Sequence, residues 1–370
     1  MFQSYYVNTA GTTAFDEAFY GANYGLFESF TTAQQTAAAA ALETWDDLIT
    51  LDFEPESDVQ DADITFGATL MDPAAGAYAY YPSGDVDDAF YAQFGFAEAG
   101  RRSGDVWINW FHNSPTGEDG FLPRDPSTSF SILDPGSYGH FALTHELGHS
   151  LGLAHGGEYN ATDDNDGDGE PDPITYEGDA YFFQDSHQYT IMSYFEGEVT
   201  GAGWVDWRTL TFRMPSTPMV HDILAVQALY GAETTTRTGD TVYGFNSNAG
   251  NPIYDFTSNT APVLTIWDAG GNDTLDLSGW DSDSLININE GAFSSASAGA
   301  SLDYLKSIGF LPEDYTQAEL ETFFASYNSG SQGQMTANIA ISYGAQIVNA
   351  IGGGGRDEII GNALANRLLP

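Results

Sequence analysis

The sequence predicts an α+β domain over residues 1–232 followed by an all-β domain over residues 233–370. Two observations carry the first domain. Ala38, Ala41, Leu42, Trp45, Leu48 and Ile49 recur at helical spacing, as a core-facing stripe requires. Short strand candidates follow it at 50–54, 62–67, 77–82 and 104–109, set between acidic or Gly/Pro turns. The second domain rests on a change of composition. From residue 233 Gly, Asn, Asp, Ser and Thr dominate, broken by short β segments. A length of 370 residues is enough for two cores.

Taken in order, residues 1–24 are rich in Tyr, Gly and Asn and read as an irregular arm, and 25–30 as a first strand. Thr32 and Gln35 form a capping box for the striped helix. Ala77-Tyr78-Ala79-Tyr80-Tyr81 stops at Pro82, which suits an edge strand. Residues 83–103 read as a surface insertion or a cleft rim, and 113–138 as a Pro/Ser/Gly/Asp-rich loop.

That loop leads into His145–His155, HELGHSLGLAH, the most informative stretch of the chain. At about 100° per residue, His145 and His149 share one helix face, while Leu143, Leu147 and Leu151 fall on the opposite one. Gly152 ends the helix in a left-handed turn, and the chain returns His155 as a third imidazole. Three imidazoles suit one zinc ion with a fourth position open to water. Glu146 stands close enough to take a proton from that water without being a ligand. Unrelated surface histidines are the competing reading. His112, His140, His187 and His221 lack such partners and read as structural.

The HExxHxxGxxH spacing is the metzincin signature, and Thr190-Ile191-Met192-Ser193-Tyr194 resembles the SIMSY turn of the serralysin family. The resemblance implies a twisted mixed sheet with two long helices, then a sandwich or parallel β-roll that binds calcium. It makes Met192 the floor beneath the zinc and Tyr194 a movable phenol that stabilises the tetrahedral intermediate. It also implies that peptide adds as a strand along Ala77 to Tyr81. Asp222–Tyr230 resembles the helix that closes the family's catalytic domain.

Several calcium sites are expected. Asp164, Asp166, Asp168 and Asp172, with Gly169, read as DxDxDGxxD, either a compact calcium loop or a solvated acidic one. Thr175 stands where an EF-hand needs an acid, so that version fails. The resemblance makes the carbonyls of Arg237, Gly239 and Thr241, with Asp268, Gly270 and Asp273, ligands of one calcium, and Gly271 a ligand of a second. Gln346-Ile347-Val348 lacks the acid that the second site needs. IGGGGRDEI at 351–359 fits one nonapeptide of a calcium-binding β-roll, with a degenerate copy after it. Residues 312–327 read as an inserted helix.

The chain has 53 acidic and 9 basic residues and a formal net charge of −44, which argues against nucleic acid as a partner. There is no cysteine, so disulfides are excluded and calcium is the natural staple. No run is long and apolar enough to span a membrane. MFQSYYVNTA lacks the features of a secretory signal, and the resemblance implies export by a route read at the C-terminus. The expectation is a secreted, monomeric zinc endopeptidase acting on proteins or peptides, with a proteinaceous inhibitor as a further partner. The rival is a catalytically silent calcium-binding or surface-layer protein.

Overall fold

The structure is a computed structural model. It describes residues 2–7, 27–28, 30–57, 62–69, 71, 75–82, 104–109, 130, 132–160 and 172–370, the first two spans by backbone alone. The chain divides into two compact units. One comprises Met1–Phe182 with Ala228–Gly231, and the other Phe183–Gln227 with Ala232–Pro370.

The first unit is built on a six-stranded mixed sheet. Its strands are β1 (Phe2–Val7), β2 (Phe27–Glu28), β3 (Asp52–Pro55), β4 (Ile64–Thr69), β5 (Ala77–Ala79) and β6 (Val106–Asn109). The order is β3-β1-β4-β6-β5, with β2 paired to β4. Four strands run parallel, and β5 closes one edge antiparallel to β6 with Ala77 opposite Ile108. The N-terminal arm is therefore not irregular throughout. Phe2–Val7 pairs with strands roughly fifty and sixty residues on, and its FQSYYV sequence suits a strand once those partners exist.

Helix α1 (Thr32–Asp46) lies one residue earlier than the capping box predicts. Thr31 is the cap: its hydroxyl accepts from Gln34 N at 3.3 Å, and the Gln34 side chain accepts from Thr31 N at 2.9 Å. The predicted stripe is buried, with Leu48 and Ile49 continuing it beyond the helix end. Helix α2 (Tyr138–Ser150) is buried along nearly its whole length, and Leu143, Leu147 and Leu151 are in the core. Trp45 Nε1 donates to Thr144 O at 3.1 Å and ties α1 to α2. A helix with no wet face has to find partners for every polar side chain it carries. That makes its histidines and Glu146 the residues to explain.

The second unit carries a short hairpin, β7 (Val205–Asp206) with β8 (Thr211–Phe212), and helix Val220–Tyr230 begins within it. Further on, β9 (Val242–Gly244), β10 (Asp273–Asp276), β12 (Ile347–Ile351) and β14 (Arg367–Leu369) form a wholly parallel sheet in the order β14-β12-β10-β9. A second parallel pair joins β11 (Leu285–Asn287) to β13 (Glu358–Ile360). The expected insertion helix is Gln317–Ala325, with its own capping box of Thr316 and Glu319. It buries Leu320 and Phe324 in a cluster with Trp207 and Leu305. Among the described residues no helix is long and apolar enough to cross a membrane.

Candidate metal centre

Helix α2 delivers His145 and His149 one turn apart, and the turn after it delivers His155. Gly152 adopts φ +91°, the left-handed conformation that lets the chain fold back. Gly152 N donates to His149 O at 2.8 Å and Leu153 N to Gly148 O at 2.9 Å, which closes the helix end. The three rings then converge. Their centroids lie 4.9, 5.4 and 4.7 Å apart, and one ring nitrogen from each falls within 4.8 Å of the others.

Backbone carbonyls fix which nitrogens face inward. His149 Nδ1 donates to Leu153 O at 2.7 Å and His155 Nδ1 to Tyr159 O at 3.0 Å. In neutral rings this leaves both Nε2 atoms as lone pairs, and they face each other at 3.1 Å. Burial, with His155 close by, holds His149 down at about 4 against the opposing pull of the Leu153 carbonyl, so the ring is neutral at neutral pH and keeps only its Nδ1 proton. Lone pairs facing across 3.1 Å need a cation between them or a proton on one. This donor set fits a divalent metal.

Glu146 lies beside them, buried, and its Oε2 has no hydrogen-bond partner. Burial pushes its carboxyl up to about 8. An unpartnered carboxylate oxygen in the core costs free energy unless something charged or reactive meets it. Around the site, the Tyr159 ring stacks on His155 with centroids 5.6 Å apart, and Tyr81 meets His149 edge-on at 5.3 Å.

The sequence-predicted turn residues belong to the second unit. Met192 is buried and Tyr194 half-buried. The residue that holds this turn, Asp222, carries no assigned role in the sequence reading. Its carboxylate accepts from Thr190 Oγ1 at 2.5 Å, Ile191 N at 2.7 Å and Met219 N at 2.8 Å, while Thr190 Oγ1 accepts from Met192 N at 3.0 Å. The buried His187 donates from Nε2 to Ser193 O at 2.8 Å, and its backbone N–H donates to Phe195 O at 2.8 Å. An acid in a helix's first turn signals a cap, which Met219 N supplies, but its other partners, Thr190 and Ile191, stand some thirty residues upstream and give no local cue.

The expected calcium loops face each other in the second unit. Thr241 N donates to Asp273 Oδ1 at 2.8 Å and Thr241 Oγ1 to Gly239 O at 3.1 Å. Asp268 Oδ1 accepts from Gly270 N, and a Cβ on Gly271 would overlap Gly239 O. Asp273 Oδ2 is buried without a hydrogen-bond partner, and burial pushes that carboxyl up to about 6. The Arg237 guanidinium donates to Trp267 O and sits over Tyr254, with Arg237 itself at φ +51°. Asp164, Asp166 and Asp168 lie outside the described residues, as do His112 and the insertion at 83–103.

Comparison with known proteins gives a consistent result. Residues 232–301 match the family model described as Peptidase M10 serralysin C terminal. Metalloprotease AprA of Pseudomonas entomophila (strain L48) is 35% identical over 353 residues, covering 95% of this chain and 57% of that protein. The chain is a serralysin homologue. Serralysin of Photorhabdus luminescens is 33% identical over 92% of this chain and 55% of its own length, and serralysin B of Dickeya chrysanthemi 35% identical over 90% and 54%. The chain thus spans little more than half the length of these relatives. The solved structure of myroilysin aligns at 16% identity with a TM-score of 0.27, covering 62% of this chain and 92% of that one, too distant to carry an argument.

Proposed function

We propose that this chain is a secreted zinc endopeptidase, with catalysis assigned to residues 1–232 and calcium-dependent stabilisation to residues 233–370. The observation that carries the reading is the convergence of three ring nitrogens within 4.8 Å beside an unpartnered buried carboxylate. His145, His149 and His155 would hold the zinc. Once bound, zinc would polarise a peptide carbonyl and acidify water.

Every other role falls to the chain's own groups. Glu146 takes a proton at Oε2 from the attacking water and returns it to the departing amine. Its raised affinity for a proton comes from burial, and a cation held by the histidines would draw it back to a working range. The Tyr194 phenol donates to the substrate oxygen as negative charge develops there. The serralysin resemblance assigns Met192 the role of floor to the zinc. The edge strand from Ala77 to Tyr81 takes the peptide backbone as an added strand.

Calcium is assigned to the facing loops at Gly239–Thr241 and Asp268–Asp273, with Arg237 contributing its carbonyl. The buried unpartnered oxygen of Asp273 supports this. Casein hydrolysis in calcium-replete buffer decides between this reading and a silent calcium-binding module. The peptidase reading expects hydrolysis that stops with a zinc chelator and is lost in Glu146→Ala. No hydrolysis by the zinc-loaded chain would favour the silent module.

A further inference from the structure

We propose that the Tyr81 side chain selects the substrate residue next to the cleaved bond, favouring a bulky apolar one. The inference rests on the peptidase reading above. The edge strand meets the metal helix at both ends. At one end, a Cβ on Gly76 would overlap the hydroxyl of Tyr138, the first residue of α2. At the other, the Tyr81 ring meets His149 with centroids 5.3 Å apart at 72°. Five strand residues at roughly 3.3 Å each and eleven helix residues at roughly 1.5 Å each both cover about 16 Å. The strand therefore runs level with the helix, in the same direction, and reaches the metal ligands at Tyr81.

The hydrogen bonds then say which backbone groups meet a peptide. Asn109 N donates to Gly76 O at 2.8 Å, Tyr80 N to Asp105 O at 3.0 Å and Gly104 N to Tyr80 O at 3.0 Å. The even-numbered residues therefore turn their backbone toward β6. Those of Ala77, Ala79 and Tyr81 point the other way, along the outer edge. Among the described residues no strand pairs with β5 on that side.

A peptide laid along this edge is read in steps of two residues, and its member paired at Tyr81 lies level with His149. The side chains at the two earlier outward positions are alanines and add little selectivity. Tyr78 and Tyr80 contact each other edge-on at 5.5 Å, whereas Tyr81 turns to the metal ligand. Tyr81 remains 49% exposed while touching His149, so part of its ring is open to a substrate. An open aromatic surface gains most from an aromatic or long aliphatic partner.

The test is cleavage of a mixed peptide library by the zinc- and calcium-loaded chain, with products read by mass spectrometry and zinc content measured for each variant. In Tyr81→Ala, kcat/KM for large apolar residues should fall by about tenfold or more relative to small ones at one position beside the cleaved bond. Other positions should keep their preferences, and zinc should remain at one per chain. Tyr81→Phe should keep the wild-type preference, because the ring and not the hydroxyl does the selecting. An unchanged profile in Tyr81→Ala would overturn the proposal. So would an even loss across all peptides accompanied by zinc loss, which would make Tyr81 only a brace for His149. A wild-type chain that cleaves no peptide would instead overturn the peptidase reading itself, and this inference with it.

Discussion

Replacing His187 by leucine should flatten the acid side of the stability profile of the second unit. The imidazole is buried and donates from Nε2 to Ser193 O. Burial, only partly opposed by that hydrogen bond, lowers its proton affinity from 6.5 to about 4. The unfolded chain takes up a proton near the ordinary histidine value, and the folded chain does so only near 4. The stability tied to this group is therefore complete above about pH 6.5 and drains away as pH falls toward 4. The interval corresponds to roughly 3 kcal/mol. His187→Leu removes the titration and the hydrogen bond together. Losing the bond should lower stability by about 1–2 kcal/mol at every pH. Urea unfolding at fixed calcium, from pH 4 to pH 8, separates the two effects. The wild-type advantage should be largest near neutrality and shrink, or change sign, by pH 4. Parallel curves, offset by a constant amount, would show that His187 titrates normally and refute the reasoning.

Three further outcomes follow from particular contacts. Trp45→Ala should destabilise the first unit by about 3–5 kcal/mol in chemical denaturation, since it empties a fully buried site and leaves Thr144 O without its indole donor. Asp222→Ala leaves the Thr190 hydroxyl and the N–H groups of Ile191 and Met219 without their acceptor. It should cost about 3 kcal/mol or more and lower kcat more than it raises KM, as read by denaturation and peptide kinetics. Gly271→Ala drives a methyl group into Gly239 O at a backbone conformation that side-chain-bearing residues rarely adopt, so Tm should fall even without calcium and the further rise in Tm on adding calcium should largely disappear.

The sequence makes the metal centre legible because its information is local. His145, Glu146, His149, Gly152 and His155 sit within eleven residues, and the helical repeat with one glycine is enough to bring the rings together. The striped helix is legible for the same reason, although Thr31 and Gln34 cap it where Thr32 and Gln35 are equally suitable by residue type. What depends on distant partners is hidden. Phe2–Val7 looks irregular until Asp52–Pro55 and Ile64–Thr69 are in place beside it. Asp222 reads as a helix-start acid, but its carboxylate holds a turn some thirty residues upstream. Likewise the interest of Tyr81 lies in its ring meeting His149 across 68 positions of chain, which strand alternation alone does not reveal.

The central claim is most directly tested by metal analysis of the purified chain paired with activity of Glu146→Gln. The account predicts one tightly held zinc per chain, lost in His149→Ala. It also predicts full zinc occupancy in Glu146→Gln with peptide hydrolysis reduced by at least about a thousandfold. A chain that holds no zinc after loading, or a Glu146→Gln variant that hydrolyses peptides at the wild-type rate, would contradict it.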